Sequence, residues 1–179
     1  MVFRTITDEE INSFDNIRQG NDFGYATDPM AFVRMHYDSK KRILYFIDEI
    51  YGVKMSIREL ASKIKSKKYD DYPVICDSAE PRSIAELKEY GIQALKAKKG
   101  PGSIEFGENW LDDLEAIVID NKRTPNVAKE YENIDYQTDK DGNIRPKLED
   151  RDNHTIDATR YGLENDMRNK SKGPININF

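Results

Sequence analysis

At 179 residues the chain has the length of one ordinary domain, and its 37% hydrophobic and 10% aromatic content lets it bury a real core although 34% is charged. A net charge of −5 argues against a protein that coats nucleic acid by electrostatics alone. It does not exclude an enzyme that meets phosphates through metal ions, because such a site is itself a cluster of carboxylates. The lone cysteine, Cys76, excludes a disulfide framework and a thiolate zinc site, and no apolar run approaches membrane-spanning length. The N-terminus lacks a signal-peptide core, so a soluble intracellular protein with no membrane partner is expected.

Residues 1–16 are polar and read as a leader or linker with a short helix starting near Thr7-Asp8-Glu9-Glu10. Ile17 to Tyr25 is a polar strand candidate ending at glycines, and Thr27-Asp28-Pro29 a turn. Met30 to Tyr37 alternates, with Ala31, Val33, Met35 and Tyr37 on one face and Phe32, Arg34 and His36 on the other. Ile43 to Ile47 is the next strand, so this part of the chain is an antiparallel meander. The pattern then switches to helices alternating with strands. Ser56 opens a helix through Ile64, Val74 to Cys76 is a strand ending in Asp77, and Ser83 to Tyr90 is a helix stopped by Gly91. Ile92 to Lys96 is a short strand before the basic loop Lys96-Ala-Lys-Lys-Gly-Pro-Gly102. Ser103 caps a helix to Glu115, Ile117 to Ile119 is a strand, and Thr124 starts the helix carrying Val127 and Tyr131. From Tyr136 to Leu148 a hairpin turns at Asp141-Gly142. A closing helix runs to about Met167, with the domain ending near Arg168 and residues 169–179 a tail. The layout is α/β, a mixed sheet with helices on both faces.

The chemistry gathers around Asp150 to Tyr161, D-R-D-N-H-T-I-D-A-T-R-Y. Asp152 and Asn153 suit a helix start, and His154, Asp157 and Tyr161 at i, i+3 and i+7 share one helix face. Asp22 and Asp77 sit at strand ends, where ligands collect in open sheets. Were their strands adjacent, the closing helix would bring Asp157 and His154 alongside. Phosphodiester hydrolysis needs an activated water and charge stabilisation on both oxygens, which carboxylate-held divalent ions supply. Hard oxygen ligands select Mg²⁺ or Mn²⁺. The same residues also read as ordinary structure: Asp22 as a turn aspartate, Asp77 as a cap, His154 as a satisfied core histidine. Spacing alone does not decide between these.

Four blocks occur in order: G-N-D-F-G-Y-A-T-D-P from Gly20, V-I-C-D-S-A-E-P from Val74, K-K-G-P-G-S-I from Lys98 and D-N-H-T-I-D-A-T-R-Y from Asp152. Together they resemble the nuclease domain of tailed-phage terminase large subunits, the DNA-packaging motors that cut concatemeric viral DNA. The resemblance spans Gly20 to Glu164. It implies an RNase H-like (retroviral-integrase-type) fold and a metal-dependent endonuclease acting on double-stranded DNA with little sequence preference. Asp22 would lie on the central first strand, Asp77 would end the fourth, and Asp157 would come from a late helix with His154 one turn earlier. These four would form the catalytic and metal site, with Mg²⁺ or Mn²⁺, two ions in the active complex, and His154 as ligand or acid–base. Lys96, Lys98 and Lys99 would position DNA phosphates, and the Asp141-Gly142 hairpin would rim the groove. Implied partners are the terminase ATPase domain, the terminase small subunit and the portal protein, in the cytoplasm of a bacterial host.

The chain departs from the family pattern in two respects, the first being that the strand before Asp22, I-R-Q-G-N, is more polar than a central strand should be. No G-x-x-x-x-G-K-[ST] occurs, so the ATPase half is absent and the chain reads as the C-terminal nuclease domain alone, as a fragment or a split gene. Two other readings compete: a docking module for portal or capsid with vestigial cleavage, and another RNase H-like enzyme such as a junction resolvase.

Overall fold

The computed structural model describes residues 1–24, 26–98, 100–134, 136–138, 144–148 and 153–170. In chain order the elements are β1 (Val2–Phe3), α1 (Asp8–Ser13), β2 (Ile17–Asp22), β3 (Pro29–Asp38), β4 (Ile43–Val53), α2 (Ile57–Ser66), β5 (Val74–Cys76) and α3 (Pro81–Glu89). They continue with β6 (Ala94–Lys96), α4 (Ser103–Asp112), β7 (Ala116–Ile119), α5 (Pro125–Glu132), β8 (Tyr136–Thr138), β9 (Ile144–Leu148), α6 (His154–Gly162) and α7 (Glu164–Lys170). Seven strands form one mixed sheet in the order β1-β7-β4-β3-β2-β5-β6. The expected meander is its antiparallel centre, β2-β3-β4, and the flanking pairs are parallel. Strands β8 and β9 pair separately, and the Asp141-Gly142 turn between them lies outside the described residues.

Helices cover both faces. Val33, Met35, Tyr37, Leu44 and Phe46 pack under α4, α5, α6 and α7, whereas Met30, Phe32 and Ile50 pack with α2 and α3. In β4, Leu44 and Phe46 share parity with Ile50 yet face the opposite layer, because the β3/β4 register shifts at Arg34/Met35. An extra residue in one strand inverts the alternation beyond it. That is why the period-2 pattern marks a strand only to Ile47 while the strand itself continues to Val53.

Residues 1–16, expected as a leader or linker, contribute an edge strand and a capped helix. β1 runs parallel to β7, Ile6 is buried, and its N–H donates to Asp120 Oδ2 at 2.9 Å. Thr7 and Glu10 close a capping box on α1, as Ser56 and Glu59 do on α2. Helix α4 differs from expectation: Gly102 at φ 73° is its N-cap, and Ser103 is its first residue rather than its cap. The expected closing helix is two, α6 ending at Gly162 and α7 starting at Glu164.

The most polar side chain at the middle of β2 is buried because its amide is partnered on both sides. Gln19, 1% exposed, donates from Nε2 to Tyr69 O at 3.0 Å and Tyr72 O at 2.9 Å, and its Oε1 accepts from Arg34 at 2.7 Å. Gly20 lets α6 lie directly on the strand: a Cβ there would stand 1.8 Å from Ala158 O and 2.8 Å from Gly162 N. Gly162 completes the contact from the helix side, where a Cβ would meet Gln19 C and Gly20 N at 3.0 Å. The Gly20 clash is wholly with backbone, which has no rotamer to escape into. Gly20→Ala is therefore expected to destabilise the fold by at least about 3 kcal/mol, read as a lower urea midpoint; an unchanged midpoint would refute the close packing of α6 on β2.

Candidate active site

Strands β2 and β5 are parallel neighbours with Gly20 beside Ile75 and Asn21 beside Cys76, so Asp22 and Asp77 follow at adjacent positions. The Asp77 N–H donates to Asn21 O at 3.1 Å, extending the ladder by one bond past the end of β5. Helix α6 lies over this end of the sheet, and His154 Nδ1 stands 3.1 Å from Asp22 Oδ2. One turn on, Asp157 pairs with Arg160 of the same helix. Asp22, Asp77, Asp157 and Tyr161 then line one open cleft of ≈ 1010 Å³, bordered by Lys98 and the Gly100–Phe106 segment.

The electrostatics of the cleft are those of crowded negative charge. Burial pushes the Asp22 carboxyl up, its bond to His154 opposes this, and the charges of Asp157 and Asp77 add to the rise. His154 is raised by its bond to Asp22 against the opposing effect of burial. Both shifts favour a proton held between Nδ1 and Oδ2. The Tyr161 hydroxyl is pushed up by burial and then by the charges of Asp157, Asp77 and Asp22, which share the cleft with it. Hard carboxylate oxygens of this kind suit Mg²⁺ or Mn²⁺. Among the described residues, no three acidic, imidazole or thiol groups are already gathered around a single metal position. Asp22 is turned to His154 and Asp157 to Arg160.

The basic loop divides. Lys98 borders the cleft, its N–H donating to Glu164 Oε2 at 2.6 Å and its carbonyl accepting from Arg168. Lys96 is exposed on edge strand β6, and Lys99 lies outside the described residues, as does Asp152. Cys76 is a buried thiol pushed up to about 12 by burial, which fits a core residue and not a nucleophile.

Two residues near the site escaped the sequence reading. Arg160, 7% exposed, is an i+3 partner of Asp157, and that spacing was available as a signal. Glu130 of α5 carried none, being remote in sequence from what it serves. Its Oε2 accepts the Thr155 N–H at 2.8 Å, the Thr155 hydroxyl at 2.5 Å and the Ile156 N–H at 3.3 Å. Asn153, the N-cap of α6, makes no side-chain capping bond, so Glu130 supplies the anion at that helix start. Burial pushes its carboxyl up to about 7.

The description of the matching family model is "Terminase RNAseH like domain", and it covers residues 22–165. The chain is 58% identical over 174 residues to the terminase large subunit of Bacillus phage SPP1, covering 96% of this chain and 40% of that protein. It is 32% identical over 150 residues to the PBSX phage terminase large subunit of Bacillus subtilis strain 168, covering 82% of this chain and 34% of that one. The chain thus spans well under half the length of both. Among solved structures, the large-terminase nuclease domain of bacteriophage SPP1 with bound Mn superposes with a TM-score of 0.89 at 58% identity, over 92% of this chain and 95% of that one.

Glu130 gives the site a pH signature. A carboxyl raised from 4.5 to about 7 on folding stabilises most below the unfolded value and loses that contribution as pH rises through the folded one. Native stability should fall by up to about 3 kcal/mol from this group between pH 4 and pH 8. Urea unfolding across that range should show the decline flattened in Glu130→Gln. Equal slopes in the two proteins would show that the carboxyl titrates normally.

Proposed function

The chain belongs to the terminase RNase H-like domain family, and from that premise we propose that it is the DNA-cutting domain of a viral packaging motor. It hydrolyses phosphodiester bonds of double-stranded concatemeric DNA with a divalent ion, Mg²⁺ or Mn²⁺, in the cleft between β2, β5 and α6. The observation that carries the reading is the shared opening of Asp22, Asp77 and Asp157 from three separate elements, with His154 bonded to the first. A core or capping role needs no such convergence.

In this reading Asp22, Asp77 and Asp157 hold the metal, two ions in the active complex. Divalent cations there would lower the pKa of an attacking water and neutralise charge on the departing oxygen. The bond to Asp22 favours the protonated form of His154, which suits a proton donor for the leaving oxygen; as an added ligand it would act as the neutral imidazole. Lys98 and the backbone of Gly100 and Gly102 approach the phosphates flanking the cut, with Lys96 further along the DNA strand; Lys99 is proposed to join them on its charge alone. None of these groups reads base edges, so cutting is indifferent to sequence and its position is set by partners: the ATPase domain, the small subunit and the portal protein. The setting is the cytoplasm of a bacterial host.

Incubating supercoiled plasmid with the protein in Mn²⁺, Mg²⁺ or EDTA tests this directly. Metal-dependent nicking and linearisation are expected, reduced on the order of 100-fold or more in Asp77→Asn, since even residues that merely orient metal ligands are worth roughly 10–100-fold. Cleavage that persists in EDTA or survives Asp77→Asn would overturn the metal-carboxylate mechanism. A folded native chain inert under every metal would favour the portal- or capsid-docking module.

A further inference from the structure

The cations inside the cleft are themselves an observation. Arg160 is 7% exposed, and its guanidinium bonds Asp157 Oδ1 while its Nε is buried with no partner among the described residues. The group lies 5.7 Å from the centroid of the Tyr161 ring and lines the same cleft as Asp22, Asp77 and Asp157. Its stem is wedged against α4, where a Cβ on Gly107 would fall 2.8 Å from Arg160 Cδ. An arginine so enclosed cannot shed its charge by deprotonation and must keep an anion beside it. In the free protein that anion is Asp157.

Asp157 cannot serve two cations equally well. A divalent ion that recruits this carboxylate weakens its bond to Arg160, and the guanidinium, whose Nε already has no partner among the described residues, is left buried without its anion. The anion that restores the balance is one that enters with the substrate. A phosphate oxygen suits a planar, multidentate guanidinium better than it suits lysine. With Arg160 still on Asp157, by contrast, both the ion and the phosphate are opposed, the first by competition for the carboxylate and the second by uncompensated acidic charge.

We propose that Arg160 couples cation binding to DNA phosphate binding: it holds Asp157 in the free protein and releases that carboxylate to a divalent ion as a backbone phosphate takes its guanidinium. Arg160 is then a positioning residue acting through Asp157, and the inference rests on the nuclease reading above. The metal site is suppressed while the cleft is empty of DNA, which guards against cutting by a domain not yet engaged on its substrate.

The test is Mn²⁺ affinity, followed by the electron paramagnetic resonance of free aqueous Mn²⁺, with and without a short duplex carrying phosphorothioate linkages that keep the charge and slow cleavage. In the native chain the duplex should tighten Mn²⁺ roughly tenfold, within the usual range of coupling between sites. Arg160→Gln should bind Mn²⁺ several-fold tighter without DNA and lose most of the enhancement, whereas Arg160→Lys, which keeps the charge, should restore weak binding without DNA. Gly107→Ala, which displaces the arginine stem and leaves every charge in place, should move in the direction of Arg160→Gln. Native affinity and native enhancement in a folded Arg160→Gln would overturn the proposal; should that variant not fold, the same result in Gly107→Ala overturns it. A native chain that binds no Mn²⁺ even with duplex would overturn the metal-carboxylate reading itself, a distinguishable failure.

Discussion

The structure depends on a backbone-to-backbone contact. Helix α6 rests on β2 with no side chain between them, at Gly20 on the strand and Ala158 and Gly162 on the helix. An ordinary helix–sheet packing would lift the helix by the depth of a side chain. Here the helix descends onto the strand, and that descent brings His154 within 3.1 Å of Asp22. Asp22 is already set beside Asp77 by the β2/β5 register. Close approach and register together turn three residues 55 and 80 positions apart in sequence into one cleft.

Orientation of α6 about its axis is fixed by carboxylates reaching in from elsewhere. Glu49 of β4 accepts the Asn126 and Val127 N–H groups, both at 2.9 Å, anchoring the start of α5 to the sheet. Glu130 of α5 then accepts N–H groups at the start of α6. The sheet thus locates α5, and α5 locates the helix that bears His154 and Asp157. At the far end Arg18 grips Asp166 of α7 through two bonds of 2.6 and 3.0 Å, and Glu164 holds the Lys98 N–H. Each anchor uses an unsatisfied helix or loop amide, or a paired charge, instead of apolar packing alone, and each is directional.

These devices explain what could and could not be read from the chain. Local chemistry was legible: the helix starts near Thr7 and Ser56, the β2-β3-β4 meander, the strand ends at Asp22 and Asp77, and the shared face of His154, Asp157 and Tyr161. Each depends on residues within one element or on neighbouring elements joined by a short connection. The strand pairing of Val2 and Phe3 was not legible, because two residues carry no period and their partner, β7, is more than a hundred residues away. The bulge at β4 hid half of a strand by inverting its alternation. Polar β2 looked too hydrophilic for the middle of a sheet, since the partners that satisfy Gln19 lie on β3 and after α2. Glu130 had no local signature at all.

The site also sets a limit on how the fold is stabilised. Asp22, Asp77 and Asp157 repel one another in a partly desolvated cleft, so folding the protein without a cation assembles a charge cluster that the unfolded chain keeps apart. His154 of α6 relieves Asp22 of β2 across the two elements, whereas Arg160 relieves Asp157 within α6 and leaves Asp77, after β5, out of both pairs. A cation bridging the cleft would act differently. Its ligands would come from β2, from the residue after β5 and from α6, tying all three together at one point. Because only the folded chain presents that set, the cation would add stability as the logarithm of one plus the ratio of its free concentration to its dissociation constant. On the proposed reading, metal binding and the cohesion of α6 with the sheet would be one equilibrium viewed from two sides.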